Sequence, residues 1–87
     1  MSVRIYSTLY CPACVRAKMF FRERGIPYEE VDVTADAQAR AWLREMTGRR
    51  TVPQIFIHGE AIGGFSDLMA LARSGELDRK LTGPAAP

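Results

Sequence analysis

The sequence predicts an α/β fold: a four-stranded mixed sheet in the order βαβαββα, with helices on both faces. Three observations predict it. A strand-like run, Val3-Arg4-Ile5-Tyr6, leads through a Cys-x-x-Cys pair into a helix-like run, Val15 to Arg24. A second strand-like segment, Tyr28 to Val33, follows that helix, which makes the first half a right-handed crossover unit with parallel strands. Later, Gln54-Ile55-Phe56-Ile57-His58 and Ala61-Ile62 flank a Gly59-Glu60 turn and read as a hairpin that adds antiparallel strands.

Each element has a local reason. Ser2 to Ser7 reads as a buried strand carried by Val3, Ile5 and Tyr6. Pro12 suits the first turn of a helix, where its missing N–H would have no partner. From Ala13 to Arg24, Cys14, Ala17, Phe20 and Phe21 recur at helical spacing. Gly25 is placed to cap that helix and Pro27 to stop it. Thr34 or Asp36 can cap a second helix, whose apolar face is Ala39, Trp42, Leu43 and Met46 and which ends at Gly48. Pro53 opens the third strand, and Gly63-Gly64 breaks the fourth. Ser66 can cap a third helix packed through Leu68, Met69, Leu71 and Ala72, while Leu77 and Leu81 suggest one more short helical piece.

Composition narrows the function. The chain has 87 residues, which points to one domain, read as residues 1–82 followed by a flexible tail, 83–87. Such a length buries roughly 60–65 % of its unfolded surface, enough to fold alone. Twelve Lys/Arg against ten Asp/Glu, without a dense basic block, is no nucleic-acid signature. No apolar run approaches the roughly 20 residues that span a membrane, and no signal peptide precedes the first strand. A cytoplasmic location is the resulting expectation. In a reducing cytosol, two lone cysteines are catalytic or metal-binding before they are a structural staple.

Cys11-Pro12-Ala13-Cys14 carries the chemistry. A Cys-x-x-Cys pair at a strand-to-helix junction places its first sulfur where unpaired backbone N–H groups and the helix dipole favour negative charge. The thiolate is the nucleophile of disulfide exchange. The second sulfur lies about one turn later, in reach of the first. A zinc site is the weaker reading: such sites use four Cys or His ligands, and the chain offers two cysteines and His58. His58, beside Gly59, reads as a surface turn residue, and Trp42, Met19, Met46 and Met69 as core packing. Tyr10 either packs under the loop that delivers Cys11 or edges a substrate groove.

Together with Thr51-Val52-Pro53 before the third strand and Gly63-Gly64 followed by Ser66-Asp67, this motif resembles the glutaredoxins, most of all the small bacterial dithiol members. The resemblance runs from about Val3 to Leu81. It implies a thioredoxin-like fold and a glutathione-dependent thiol–disulfide oxidoreductase that reduces protein disulfides and glutathione mixed disulfides. By resemblance Cys11 attacks and Cys14 resolves. Pro53 is a cis-proline that turns Val52 toward glutathione, next to Thr51. Gly64 and Ser66 match the stretch whose N–H groups bind the γ-glutamyl carboxylate, and Asp67 the carboxylate that holds its ammonium.

The resemblance further implies glutathione as reductant, no metal, and a monomer. Its partners are disulfide-containing or glutathionylated proteins, with no nucleic acid and no membrane. Two positions depart from the family pattern. Ala13 stands where a tyrosine usually walls the groove, and Thr8 where a basic residue usually helps hold the glycine carboxylate of glutathione. Arg50, next to Thr51, is the expected replacement for that basic residue, with Arg49 and Arg40 as alternatives. Two other readings compete. One is a dimer that carries a [2Fe–2S] cluster through cysteine and glutathione ligands. The other is a glutaredoxin-like electron donor to ribonucleotide reductase that uses another reductant.

Overall fold

The computed structural model describes residues 2–83. Its strands are β1 (Val3–Ser7), β2 (Glu29–Asp32), β3 (Gln54–Ile57) and β4 (Glu60–Gly63), and its helices α1 (Pro12–Glu23), α2 (Ala37–Thr47), α3 (Phe65–Ser74) and α4 (Glu76–Thr82). They form one four-stranded sheet in the order β2-β1-β3-β4. β1 pairs parallel with β2 and antiparallel with β3, and β3 pairs antiparallel with β4. The predicted mixed sheet is therefore the observed one, and the expected last helical piece is α4, which buries Leu77 and Leu81.

Strand alternation divides the core between the two faces. Val3, Ile5, Ile55 and Ile57 pack with Ala17 and Phe21 of α1, Leu68 of α3, and Leu77 and Leu81 of α4. The opposite face sets Tyr6 and Phe56 against Val33 and Leu43 of α2. Phe21 is fully enclosed at 0 % exposure, so α1 is clamped onto the sheet one side chain after another.

Helix ends follow their sequence signals with two corrections. α1 stops as expected: Gly25 takes a φ of 67°, its N–H donates to the Arg22 carbonyl, and the Ile26 N–H donates to the Phe21 carbonyl. Asp36, of the two candidates, caps α2, accepting the Ala39 N–H at 3.0 Å. α3, however, begins at Gly64 rather than at Ser66, because the Asp67 carboxylate folds back onto the Gly64 N–H at 2.9 Å. Ser66 lies exposed within the first turn. The hairpin turn is His58-Gly59, not Gly59-Glu60, with both residues at positive φ (51° and 83°) and Ile57 opposite Glu60.

Trp42, Met46 and Met19 also depart from the expected core. They are 42 %, 56 % and 47 % exposed. Leu43 alone fills the contact under α2, and Trp42 lies over the rim with its ring 5.6 Å from Tyr6 and 5.9 Å from Phe56. The expected tail, 83–87, falls from residue 84 onward outside the described residues.

Candidate active site

One edge of the sheet gathers the site. Tyr6 lies opposite Gln54, so the end of β1 and the start of β3 share that edge. β4 returns to it, where Gly63 pairs with Ile55. The loop before Cys11, the Thr51–Pro53 loop and the start of α3 consequently converge.

Cys11 is the N-cap of α1, with extended backbone. Its Sγ accepts the Cys14 N–H at 3.1 Å, the role a serine or aspartate oxygen ordinarily fills. The Cys11 thiol also faces the Val52 carbonyl, 3.7 Å away. Both cysteines are free thiols, with Cys11 partly exposed and Cys14 only 1 % exposed. Burial and the neighbouring Cys11 sulfur push the Cys14 thiol up to about 12. The two sulfurs thus differ in kind: one is reachable at a helix N-terminus, and the other is enclosed and held protonated.

The opposing wall is built by the Thr51–Pro53 loop. The Val52–Pro53 peptide is cis and Pro53 is buried. Gln54, 1 % exposed, secures the loop: its Nε2 donates to the Thr51 carbonyl at 2.9 Å. Its Oε1 is buried without a partner. Sequence reasoning passed over Gln54, although an amide at the start of an otherwise apolar strand was the available signal.

Beyond Pro53 the wall continues into the Gly-Gly corner. A Cβ built on Gly64 would meet the Pro53 carbonyl at 3.4 Å, so the two loops touch. Gly63 has a φ of 105°, and a Cβ there would run into the Asp67 carboxylate and within 3.1 Å of Arg49 Nη1. Asp67 accepts from Arg49 Nη1 at 2.7 Å as well as from the Gly64 N–H. Arg49 first, and that N–H second, hold the Asp67 carboxyl below the usual carboxylate range. Arg49, one of the alternatives to Arg50 for the glycine carboxylate, is thus engaged with Asp67.

Two hollows lie near the site, one lined by Cys11 and the other by Val52. One, of about 540 Å³, is bordered by Leu9, Tyr10, Pro12, Val15 and Lys18. Tyr10 edges it, fully exposed at a φ of 57°. On its floor the Ser7 hydroxyl donates to Glu30 at 2.6 Å, and Lys18 Nζ does so at 2.8 Å. The other, of about 320 Å³, lies between α2 and the Thr51 loop and contains Arg50. His58 stands apart at the hairpin turn, its ring Nε2 3.0 Å from the Leu81 carbonyl. Among the described residues, no three His, Cys, Asp or Glu side chains gather as metal ligands, and no helix is long and apolar enough to cross a membrane.

A reachable thiol capping a helix, a buried thiol three residues on and a cis-proline loop facing them define a thiol–disulfide oxidoreductase of the thioredoxin fold. The glutaredoxin family model matches residues 3–62. A glutaredoxin from Pseudomonas aeruginosa is 41 % identical over 80 residues, covering 92 % of this chain and 95 % of the relative. Glutaredoxin 3 of Escherichia coli is 42 % identical over 77 residues, covering 88 % and 93 %. Among solved structures, the buckwheat glutaredoxin–glutathione complex superposes with a TM-score of 0.85 at 35 % identity, covering 92 % of this chain and 76 % of that one. The Brucella melitensis glutaredoxin gives 0.82 at 40 % identity, covering 97 % and 94 %. The chain belongs to the glutaredoxin family.

Proposed function

We propose that this protein reduces glutathione mixed disulfides and protein disulfides with glutathione as the electron donor, with Cys11 as nucleophile and Cys14 as resolving thiol. The observation that carries the reading is the position of Cys11 Sγ, 3.1 Å from the Cys14 N–H and 3.7 Å from the Val52 carbonyl. The reactive sulfur lies against a short extended segment whose far end is the Gly64–Asp67 corner. Glutathione is an extended tripeptide with a cysteine in the middle. Its cysteine can pair with the backbone of Val52 like one more strand, beside Thr51 and Pro53. Its γ-glutamyl carboxylate then meets the start of α3 at Gly64 and Ser66, and its ammonium meets Asp67. The buckwheat relative was crystallised with glutathione, which supports the same ligand here.

The exchange balances in two steps. The Cys11 thiolate attacks the glutathione sulfur of a mixed disulfide; the new Cys11–glutathione bond forms as the old S–S bond breaks, and the protein thiol leaves with a proton. A second glutathione thiolate then attacks that bond, releasing glutathione disulfide and the Cys11 thiolate. Alternatively, Cys14 loses its proton, attacks Cys11 Sγ and expels glutathione; two further glutathione molecules reduce the internal disulfide, one after the other. Protein disulfides enter the same cycle through a Cys11–protein mixed disulfide that Cys14 resolves. Arg50, next to Thr51, supplies the positive charge for the glycine carboxylate that Thr8 does not.

Turnover of a small glutathione mixed disulfide tests the reading, coupled in parallel to glutathione reductase and to thioredoxin reductase. Oxidation of NADPH with glutathione and glutathione reductase is expected. Activity with thioredoxin reductase alone would move the protein to the ribonucleotide-reductase-donor class, and iron–sulfur absorbance in the purified protein would move it to the cluster carriers. An unchanged Michaelis constant in Arg50→Ala would remove Arg50 from the site.

A further inference from the structure

Gln54 is the only polar residue of β3, and it is buried. Its Nε2 spans Thr51, donating to the carbonyl at 2.9 Å and to the hydroxyl at 3.4 Å. Its Oε1 is enclosed and has no hydrogen-bond partner among the described residues. Turning the amide over would set Oε1 against the Thr51 carbonyl, acceptor against acceptor, so the group has one usable orientation. The polar side chains around the adjoining hollow of about 270 Å³ are committed elsewhere: Thr47 Oγ1 donates to the Leu43 carbonyl at 2.7 Å, and Arg49 Nη1 donates to Asp67. An enclosed acceptor without a donor costs stability. Thr51 is exposed, so water can serve its carbonyl. A methionine would fill the same place in an otherwise apolar strand. Neither the needs of that carbonyl nor the packing of β3 therefore calls for an amide. What the amide adds is a fixed direction for Thr51.

We infer that Gln54 is a positioning residue for substrate: through Thr51 it sets the backbone of Val52 for the peptide that pairs with it, at a cost in stability. The inference rests on the glutathione reading of the site. The Val52 carbonyl stands 3.7 Å from Cys11 Sγ, and Val52 lies between Thr51 and Pro53. Gln54 holds both ends of this segment. Its backbone belongs to β3, opposite Tyr6, and its side chain ties down Thr51. The loop is thereby closed into a ring on the edge of the sheet. A peptide that pairs with Val52 in strand fashion needs the Val52 N–H and carbonyl held at set angles. With those angles fixed beforehand, less ordering is left for binding to supply. Gln54 touches neither sulfur nor substrate in this reading. Its effect falls on binding of the glutathione moiety, and the bond exchange at Cys11 proceeds without it. A side chain that lowers stability while it fixes a ligand loop is the usual trade between stability and function.

Steady-state kinetics and thermal melting of Gln54→Met test the inference, with the mixed disulfide of glutathione and a small thiol as substrate. The Michaelis constant is expected to rise about tenfold while kcat stays within about twofold of wild type, the split that separates binding from chemistry. The melting temperature is expected at or above that of the wild type, because the unpaired acceptor is gone. Gln54→Glu keeps the shape and sets an acceptor against the Thr51 carbonyl, so its Michaelis constant should rise as well; if that variant does not fold, Gln54→Met decides alone. An unchanged Michaelis constant in Gln54→Met overturns the inference, whatever the melting temperature does. A Michaelis constant that rises only together with a fall in melting temperature also overturns it, since a merely loosened protein would behave the same way. A parallel assay with the mixed disulfide of cysteine and the same small thiol separates the two levels of the argument. Equal kcat/KM for the two disulfides in the wild type removes the glutathione reading and this inference with it. A wild-type preference for the glutathione disulfide that Gln54→Met keeps in full removes the inference alone.

Discussion

Removing the Asp67 carboxylate probes both the corner of the site and the start of α3. In Asp67→Ala the Gly64 N–H loses its 2.9 Å acceptor and Arg49 its 2.7 Å partner. A lost capping contact costs about 1 kcal/mol. The ion pair adds only about 0.2–1 kcal/mol, because both side chains are substantially exposed, at 50 % and 35 %. The sum, about 1–2 kcal/mol, lowers the midpoint of thermal unfolding by about 5–12 °C in a domain of this size. The effect has a pH signature. The folded state holds the Asp67 carboxyl below its ordinary value of 3.8, so its contribution is present above that value and disappears as the pH falls below it. Thermal melts followed by circular dichroism, for wild type and Asp67→Ala, should therefore differ at neutral pH and converge in acid. In the same variant the Michaelis constant for a glutathione mixed disulfide should rise about tenfold, the equivalent of about 1.4 kcal/mol. Equal melting temperatures at neutral pH, or a gap that persists unchanged in acid, would refute the description of this corner.

Cys14→Ser should keep much of the activity on glutathione mixed disulfides, since a second glutathione resolves the intermediate, and should lose reduction of protein disulfides; kinetics with both substrates separate the cases. Alkylation of Cys14 in the native protein should stay slow through the range where a free thiol ionises near 9.0, because its folded value is about 12. The raised value also means that stability is complete below 9.0 and declines as the pH climbs toward 12, which denaturant melts at alkaline pH can follow. Phe21→Ala should cost about 3–5 kcal/mol in urea unfolding, since it empties the space between α1 and the sheet.

Much of this architecture was legible in the chain. Alternation in β1 and β3, the Cys-Pro junction and the glycines at 25 and 48 each speak through short-range physics: pleat, first-turn proline and left-handed caps. What escaped depends on contacts distant in sequence or on competition between equivalent local choices. Ser66 looks like a cap until Asp67 reaches back to Gly64. Trp42 and Met46 share the face of Leu43, yet a narrow helix–sheet contact admits Leu43 alone and leaves them at the rim. The pairing of Arg49 with Asp67 spans 18 residues and is decided by where the Thr51 loop meets α3. Gln54 was hidden because the Thr51 carbonyl it holds exists as a target only once that loop has formed.

We propose that a single sulfur, Cys11 Sγ, begins the reaction, and steady-state turnover of a glutathione mixed disulfide by Cys11→Ser tests this. Serine preserves the N-cap and leaves Cys14 in place, so the folded protein should retain its melting behaviour and show no turnover above the uncatalysed rate. Wild-type turnover by that variant would show that another group begins the reaction.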